Sequence, residues 1–293
     1  MGGLIAIIIL SSRTVAPLGQ AASLITNYED AKTSYEAIDS IITRPVERPK
    51  AKEFIRRENI IGNIEFRNVT FTYPDTQIAV LNDVSFTINK GEKVAILGRI
   101  GSGKSTIAKL LLKLYEPQSG SILIDGIDIK QLDPADLRKS IGYIPQEIHL
   151  FQGTIKENIL NNYRYYTDEE MLEVSKIGGV DEFVKTHPLG YEMPIGERGV
   201  GLSGGQKQTV GIARALLSDA NTLLFDEPTN AMDQTTETNT INKLKPVIED
   251  KTLFLVTQKM STLELCNRII VFYQSVKIMD GPKDEIIKQL ASK

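Results

Sequence analysis

Apolar and polar positions along the chain fall into three regimes. In the first, Leu4-Ile5-Ala6-Ile7-Ile8-Ile9-Leu10 is an unbroken apolar run, too short to span a bilayer, which takes about 20 residues. It lacks the basic start and small-residue cleavage site of a signal peptide. From about Ala16 to Thr43 apolar residues recur at intervals of three and four, through Leu24, Tyr28, Ala31, Tyr35, Ile38 and Ile42. That period predicts a helix, with Pro17 near its start and Pro45 just past its end. Arg44 to Glu53 is charged, holds two prolines and has no apolar period, so it reads as a linker. The expected division is residues 1–57 and residues 58–293.

The second regime alternates. Ile64 to Phe71 and Val84 to Ile88 have the period of half-buried strands, with a turn at Tyr73-Pro74-Asp75 between them. Ser121 to Ile124 is a further strand, and these predict a small antiparallel sheet. In the third regime the strands are apolar throughout: Thr222 to Phe225, Leu253 to Val256 and Arg268 to Phe272. Helical stretches separate them, notably Thr235 to Glu249, and the region from Gln146 to Ser203 is mostly helical. Continuous apolar strands alternating with helices argue for a parallel sheet covered on both faces. The last elements expected are a strand at Ser275 to Met279 and a helix from Lys283 to Leu290.

The chemistry sits where these regimes meet. Val94 to Leu97 is an apolar strand, and Ile107 to Leu112 is a strong helix former. Between them runs Gly98-Arg99-Ile100-Gly101-Ser102-Gly103-Lys104-Ser105-Thr106, which reads G-x-x-x-x-G-K-S. Glycines allow backbone N–H groups to curl around a phosphate at a helix N-terminus. Lys104 would reach the terminal phosphates and Ser105 would ligate Mg²⁺. Leu223-Leu224-Phe225-Asp226-Glu227 ends a strand with two acids that would face the same crevice. Asp226 would hold the metal through water, and Glu227 would orient and polarise the attacking water. Leu202-Ser203-Gly204-Gly205-Gln206 opens another helix, a second place suited to a phosphate.

Composition narrows the partners. Hydrophobic residues make up 41% of 293 and charged residues 24%, with a net charge of −3. No broad basic excess suggests nucleic acid. One cysteine, Cys266, excludes a disulfide within the chain and fits a reducing compartment. Neither histidine stands in metal-ligand spacing with it.

The string Leu202 to Gln206 resembles the L-S-G-G-Q signature of the ATP-binding cassette (ABC) ATPases, and the resemblance covers about residues 60 to 290 with the motifs in order. It implies a P-loop NTPase core with an antiparallel β subdomain and a helical subdomain, preceded here by the N-terminal helix. ATP and Mg²⁺ are the implied ligands. By the same resemblance Tyr73 stacks on adenine, Gln146 touches Mg²⁺, and Ala231-Met232-Asp233 crosses a dimer interface. Family dimers are head-to-tail, so Ser203, Gly204, Gly205 and Gln206 of one subunit close over ATP held by the other. A lone subunit should be nearly inactive.

Phe151 to Ile159, Gln131 to Arg138 and Gly196 to Gly201 are similar to exporter sequences, with Glu197 matching a residue that contacts the membrane domain. Arg13, Pro17 to Gln20 and Pro45 to Pro49 are similar to the end of the last membrane helix in type I secretion exporters. The expected protein is therefore the C-terminal part of a longer permease at the cytoplasmic face of the inner membrane. Its partners would be its own transmembrane domain, a second ABC domain, an adaptor and an outer-membrane channel. A large exported protein, such as a repeat-rich toxin, is the substrate this analogy suggests. A soluble ABC protein of DNA repair or translation would lack the exporter strings, and a non-hydrolysing subunit would not need Lys104 and Glu227.

One position departs from the family. Val256-Thr257-Gln258-Lys259 places Gln258 where the family has a histidine against the γ-phosphate. Glutamine hydrogen-bonds but carries neither proton nor charge. Either an introduced change traps ATP there, or Gln258 is natural and marks a weakly hydrolysing subunit of a heterodimer. Normal Mg-ATP binding with slow hydrolysis is the expectation.

Overall fold

The computed structural model describes residues 2–49, 51–57, 60–161 and 166–292. The chain divides into two compact units, one through Lys52 and one from Glu53 onward. The boundary expected near residue 58 lies outside the described residues. Glu53 to Arg57 go with the second unit because Ile55 bridges Leu132 and the Arg57 N–H donates to Asp136.

The first unit is one helix, Gly2–Ile42. It does not start at Pro17, as the sequence period suggested. The apolar run from Leu4 to Leu10 and the periodic stretch after it are a single element, with Pro17 inside. At 1.5 Å per residue it is roughly 60 Å long. Among its described side chains the apolar ones are exposed, Leu4, Ile7, Leu10, Leu24 and Ile38 among them. Ser11, Ser12 and Thr14 turn their hydroxyls back onto the carbonyls of Ile7, Ile9 and Leu10 at 2.7–3.0 Å. Polar groups satisfied within the helix are what a lipid surrounding demands. By length and composition the helix can cross a membrane.

The second unit is built on a six-stranded sheet. In spatial order its strands are Val276–Pro282, Arg268–Tyr273, Lys93–Gly98, Thr252–Val256, Thr222–Asp226 and Ile141–Ile144. The first pairs antiparallel with its neighbour and the other five run parallel. Alternate residues of the continuous apolar strands enter different cores. Ala95, Phe225, Leu255 and Ile269 pack on one face of the sheet with helix Gly204–Leu217. Ile96, Leu224, Phe254 and Ile270 pack on the other with helix Lys104–Leu111. A strand covered on both faces has no solvent side to mark with polar residues, which is why the sequence shows no alternation there.

A four-stranded antiparallel sheet lies on the second core: Leu81–Ile88, Ile64–Phe71, Ser119–Ile124 and Ile127–Asp128. Phe66 stacks on Phe86 at 4.5 Å between ring centres, and Phe86 meets Phe254 and Phe272 of the parallel sheet. Over the other core sit short helices, Ile155–Leu160, Asp168–Gly178 and Val180–Val184. The first two begin in capping boxes at Thr154 and Thr167, which satisfy free N–H groups at each start. The fold is thus the expected one: a parallel core, an antiparallel β subdomain and a helical subdomain.

Candidate active site

Parallel pairing decides where the expected site residues meet. Val256 pairs with Ile96 and with Asp226, and Ile144 pairs with Phe225. Four neighbouring strands therefore end level with one another. The segments that leave those ends hold the glycine-rich loop, Gln146, Asp226-Glu227 and Gln258. Convergence at the carboxyl edge is where ligands bind in open α/β sheets.

The loop itself needs its glycines. Gly101 and Gly103 have φ of +81° and +92°, a region L-residues avoid. A Cβ on Gly103 would lie 2.6 Å from the Val80 carbonyl oxygen, and one on Gly98 would lie 2.5 Å from that of Phe272. Lys104 opens the helix and is buried, and its Nζ donates to the carbonyls of Gly98 and Arg99 at 2.7 and 2.9 Å. Burial pushes the Lys104 amine down, and the charges of Glu227 and Asp226 oppose the shift.

A cavity of about 450 Å³ gathers Ile100, Gly101, Lys104, Ser105, Gln146, Asp226, Glu227 and Gln258. Burial holds the Asp226 carboxyl above its usual value, against Ser105, Lys104 and Lys109. Asp226 Oδ1 is buried and finds no hydrogen-bond partner among the described residues. An orphaned carboxylate oxygen beside the Ser105 hydroxyl and the Gln146 amide is a hard-oxygen donor set that fits Mg²⁺. Burial also raises Glu227, opposed first by a backbone hydrogen bond from Gln258 and reinforced by the Asp226 charge.

Glu227 is held at an unusual backbone angle, φ +50°. Its N–H donates to the Val256 carbonyl at 2.8 Å. Its carbonyl accepts from Gln208 Nε2 at 3.3 Å, and Gln208 Oε1 accepts the Ala231 N–H at 2.8 Å. Gln208 was not among the residues the motifs point to. Its signal in the sequence is position: it shares a helical stripe with Ile212 and Leu216, both buried. A glutamine on an apolar stripe has to find partners inside.

The remaining expected residues lie elsewhere. Ser203, Gly204, Gly205 and Gln206 line a separate cavity of about 470 Å³ with Ala231 and Asp233. There Ser203 caps its helix, its hydroxyl taking the Gln206 N–H at 3.2 Å while Gln206 Oε1 takes the Ser203 N–H at 2.9 Å. A Cβ on Gly204 would come within 2.9 Å of Ala231 Cβ, so the glycine pair packs directly on the loop that follows Glu227. Tyr73 stands beside the helix of the phosphate loop, its hydroxyl 3.1 Å from Thr106 Oγ1 and its ring edge-on to Phe71 and Tyr115. Arg99, Ser102, Gly103 and Thr106 shape the loop without lining the 450 Å³ cavity.

A family model described as ABC transporter matches residues 81–230. The chain is 36% identical over 289 residues to the alpha-hemolysin translocation ATP-binding protein HlyB of Escherichia coli, across 99% of this chain and 41% of that protein. It is 34% identical over 288 residues to the leukotoxin translocation ATP-binding protein LktB of Mannheimia glucosida, across 98% of this chain and 40% of that protein. It therefore spans about two fifths of the length of these curated relatives. Among solved structures, a bacterial Atm1-family ABC exporter with ATP bound superposes with a TM-score of 0.81 at 33% identity, over 89% of this chain and 46% of that one.

Proposed function

The chain belongs to the ABC transporter family, and from that premise we propose that it is the ATP-hydrolysing part of a protein exporter of the type I secretion kind. The observation that carries the proposal is the meeting of Lys104, Ser105, Gln146, Asp226 and Glu227 in one cavity at the ends of adjacent parallel strands. Phosphoryl transfer asks mostly for positioning and charge neutralisation. Lys104 would exchange two loop carbonyls for phosphate oxygens. Ser105, Gln146 and Asp226 would hold Mg²⁺, which when bound offsets the negative charge of the phosphates. Glu227, its proton affinity raised by burial, would orient and polarise the attacking water.

The separation of Ser203–Gly205 from this cavity supports a head-to-tail pair in which each chain completes the other's site. The relatives named for toxin translocation support a large protein as cargo, and the membrane-length helix supports a place at the inner membrane. The adaptor and outer-membrane channel follow from the same analogy.

Turnover measured at rising protein concentration tests the proposal. Specific activity should rise cooperatively as pairs form, and a flat, linear response would sink the paired site. Gln258 lines the cavity and favours a second reading, a weakly hydrolysing subunit that works beside a more active partner. On that reading Gln258→His raises turnover by about tenfold or more, the scale of acid–base assistance. Equal rates in the two proteins would remove its support.

A further inference from the structure

The segment after the strand Thr252–Val256 ends in a knot of polar side chains that none of the roles above uses. Lys259 Nζ donates to the Thr229 carbonyl at 2.8 Å and stands 3.2 Å from Glu237 Oε1. Thr229 Oγ1 donates to that same carboxylate oxygen at 2.5 Å. Glu237 lies in helix Gln234–Val247 and is only 6% exposed. A carboxylate buried this far is costly unless paired and hydrogen-bonded, and here it is both.

The base of the knot is fixed as well. The Lys259 N–H donates to Thr257 Oγ1 at 3.0 Å, and Thr262 Oγ1 donates to the Lys259 carbonyl at 2.9 Å. The two threonine hydroxyls are 2.8 Å apart and buried. Lys259 therefore has little freedom to move alone.

Its neighbours in sequence give the knot its meaning. Lys259 directly follows Gln258, and both line the cavity. Thr229 is two residues past Glu227. The Glu227 and Gln258 segments are already joined by the pairing of Asp226 with Val256, by the Glu227 N–H on the Val256 carbonyl and by the Gln258 N–H on the Glu227 carboxylate. Those joints end at Gln258. The Lys259 ammonium adds one beyond it, with Glu237 as the shared anchor, so the two segments are held on both sides of the Glu227–Gln258 contact.

We propose that Lys259 is a positioning residue for the hydrolytic step: through Thr229 and Glu237 it holds Gln258 in register with Glu227, and it sets turnover without contributing to nucleotide affinity. The inference rests on the ATPase reading of the cavity. An ammonium suits the task because its three donors can serve a carbonyl and a carboxylate together, and a guanidinium can do the same.

The test compares the full chain, in detergent micelles, with its Lys259→Met and Lys259→Arg variants. Steady-state kcat and KM, affinity for a fluorescent ATP analogue, and backbone hydrogen exchange are measured on each. Lys259→Met should lower kcat by about tenfold while KM and affinity stay within about twofold, and Lys259→Arg should recover most of the loss. In Lys259→Met, amides of residues 227–233 and 257–262 should lose protection together. An unchanged kcat, a parallel loss of affinity, no rescue by arginine, or loss of protection in one segment alone would overturn the proposal. If the unchanged chain binds ATP but does not turn over, the ATPase reading fails, and the exchange data alone decide for or against Lys259. Should Lys259→Met not fold, Glu237→Gln keeps the shape, removes the charge and carries the same expectations.

Discussion

Gln208→Leu tests the link between the signature helix and the loop of Glu227. The side chain is 4% exposed, but its partner Ala231 is exposed and the two line a cavity of about 190 Å³, so water can replace part of what it provides. Its two hydrogen bonds are not equally missed. The Glu227 carbonyl keeps a second donor, the Asn230 N–H at 3.2 Å. The Ala231 N–H has no acceptor but Gln208 Oε1 among the described residues. The loss is therefore dominated by one hydrogen bond to a partly buried donor, about 0.5–1.5 kcal/mol. Leucine is close to glutamine in volume, which keeps any cavity contribution small. We expect about 1 kcal/mol of destabilisation, read as a shifted urea midpoint with the slope unchanged. For a unit of this size the melting temperature should fall by about 2–4 °C. A loss below about 0.5 kcal/mol, the scale of an ordinary surface substitution, would refute the reasoning.

Two further outcomes follow from the same geometry. Burial raises the Asp226 carboxyl, so the folded state keeps its proton to higher pH than the unfolded chain does. The stability this contributes is complete below the unfolded value, roughly pH 4, and is lost as pH rises through the folded one. Asp226→Asn should accordingly raise the melting temperature at pH 8 and change it little at pH 4; equal shifts at both would count against it. Gly204→Val should cost about 1–3 kcal/mol through overpacking on Ala231, whose Cβ would be 2.9 Å from the new atom. Ala231→Gly in the same chain should relieve part of that cost, and strictly additive effects in denaturant unfolding would show that the two residues do not press on each other.

What could be read in the sequence was whatever local chemistry dictates. The glycine loop, its flanking strand and helix, and the two acids ending Thr222–Asp226 announce themselves by spacing. Convergence of Gln146 and Gln258 with them depends on strand order, which spacing alone does not give, and only the family resemblance proposed it. Gln208, Thr229, Glu237 and Lys259 went unseen because their partners lie far away in the chain. Two of them had left a trace: Gln208 precedes Ile212 and Leu216, and Glu237 precedes Ile241 and Leu244, each on a buried stripe. Pro17 misled for another reason. Its missing N–H and its ring against the preceding turn cost about 3 kcal/mol, enough to kink a helix but not to end one of 41 residues.

The packing of Gly204 and Gly205 on Ala231, with Gln208 gripping the same residue, has a mechanical consequence. A rigid lever arm, the helix Gly204–Leu217, is clamped at its start to the loop that holds Glu227. Load placed on the tip of that arm reaches the Glu227 backbone through one side chain. In the proposed pair, each chain's grip on the other's nucleotide and its own readiness to cleave become a single variable, so neither site can keep time alone.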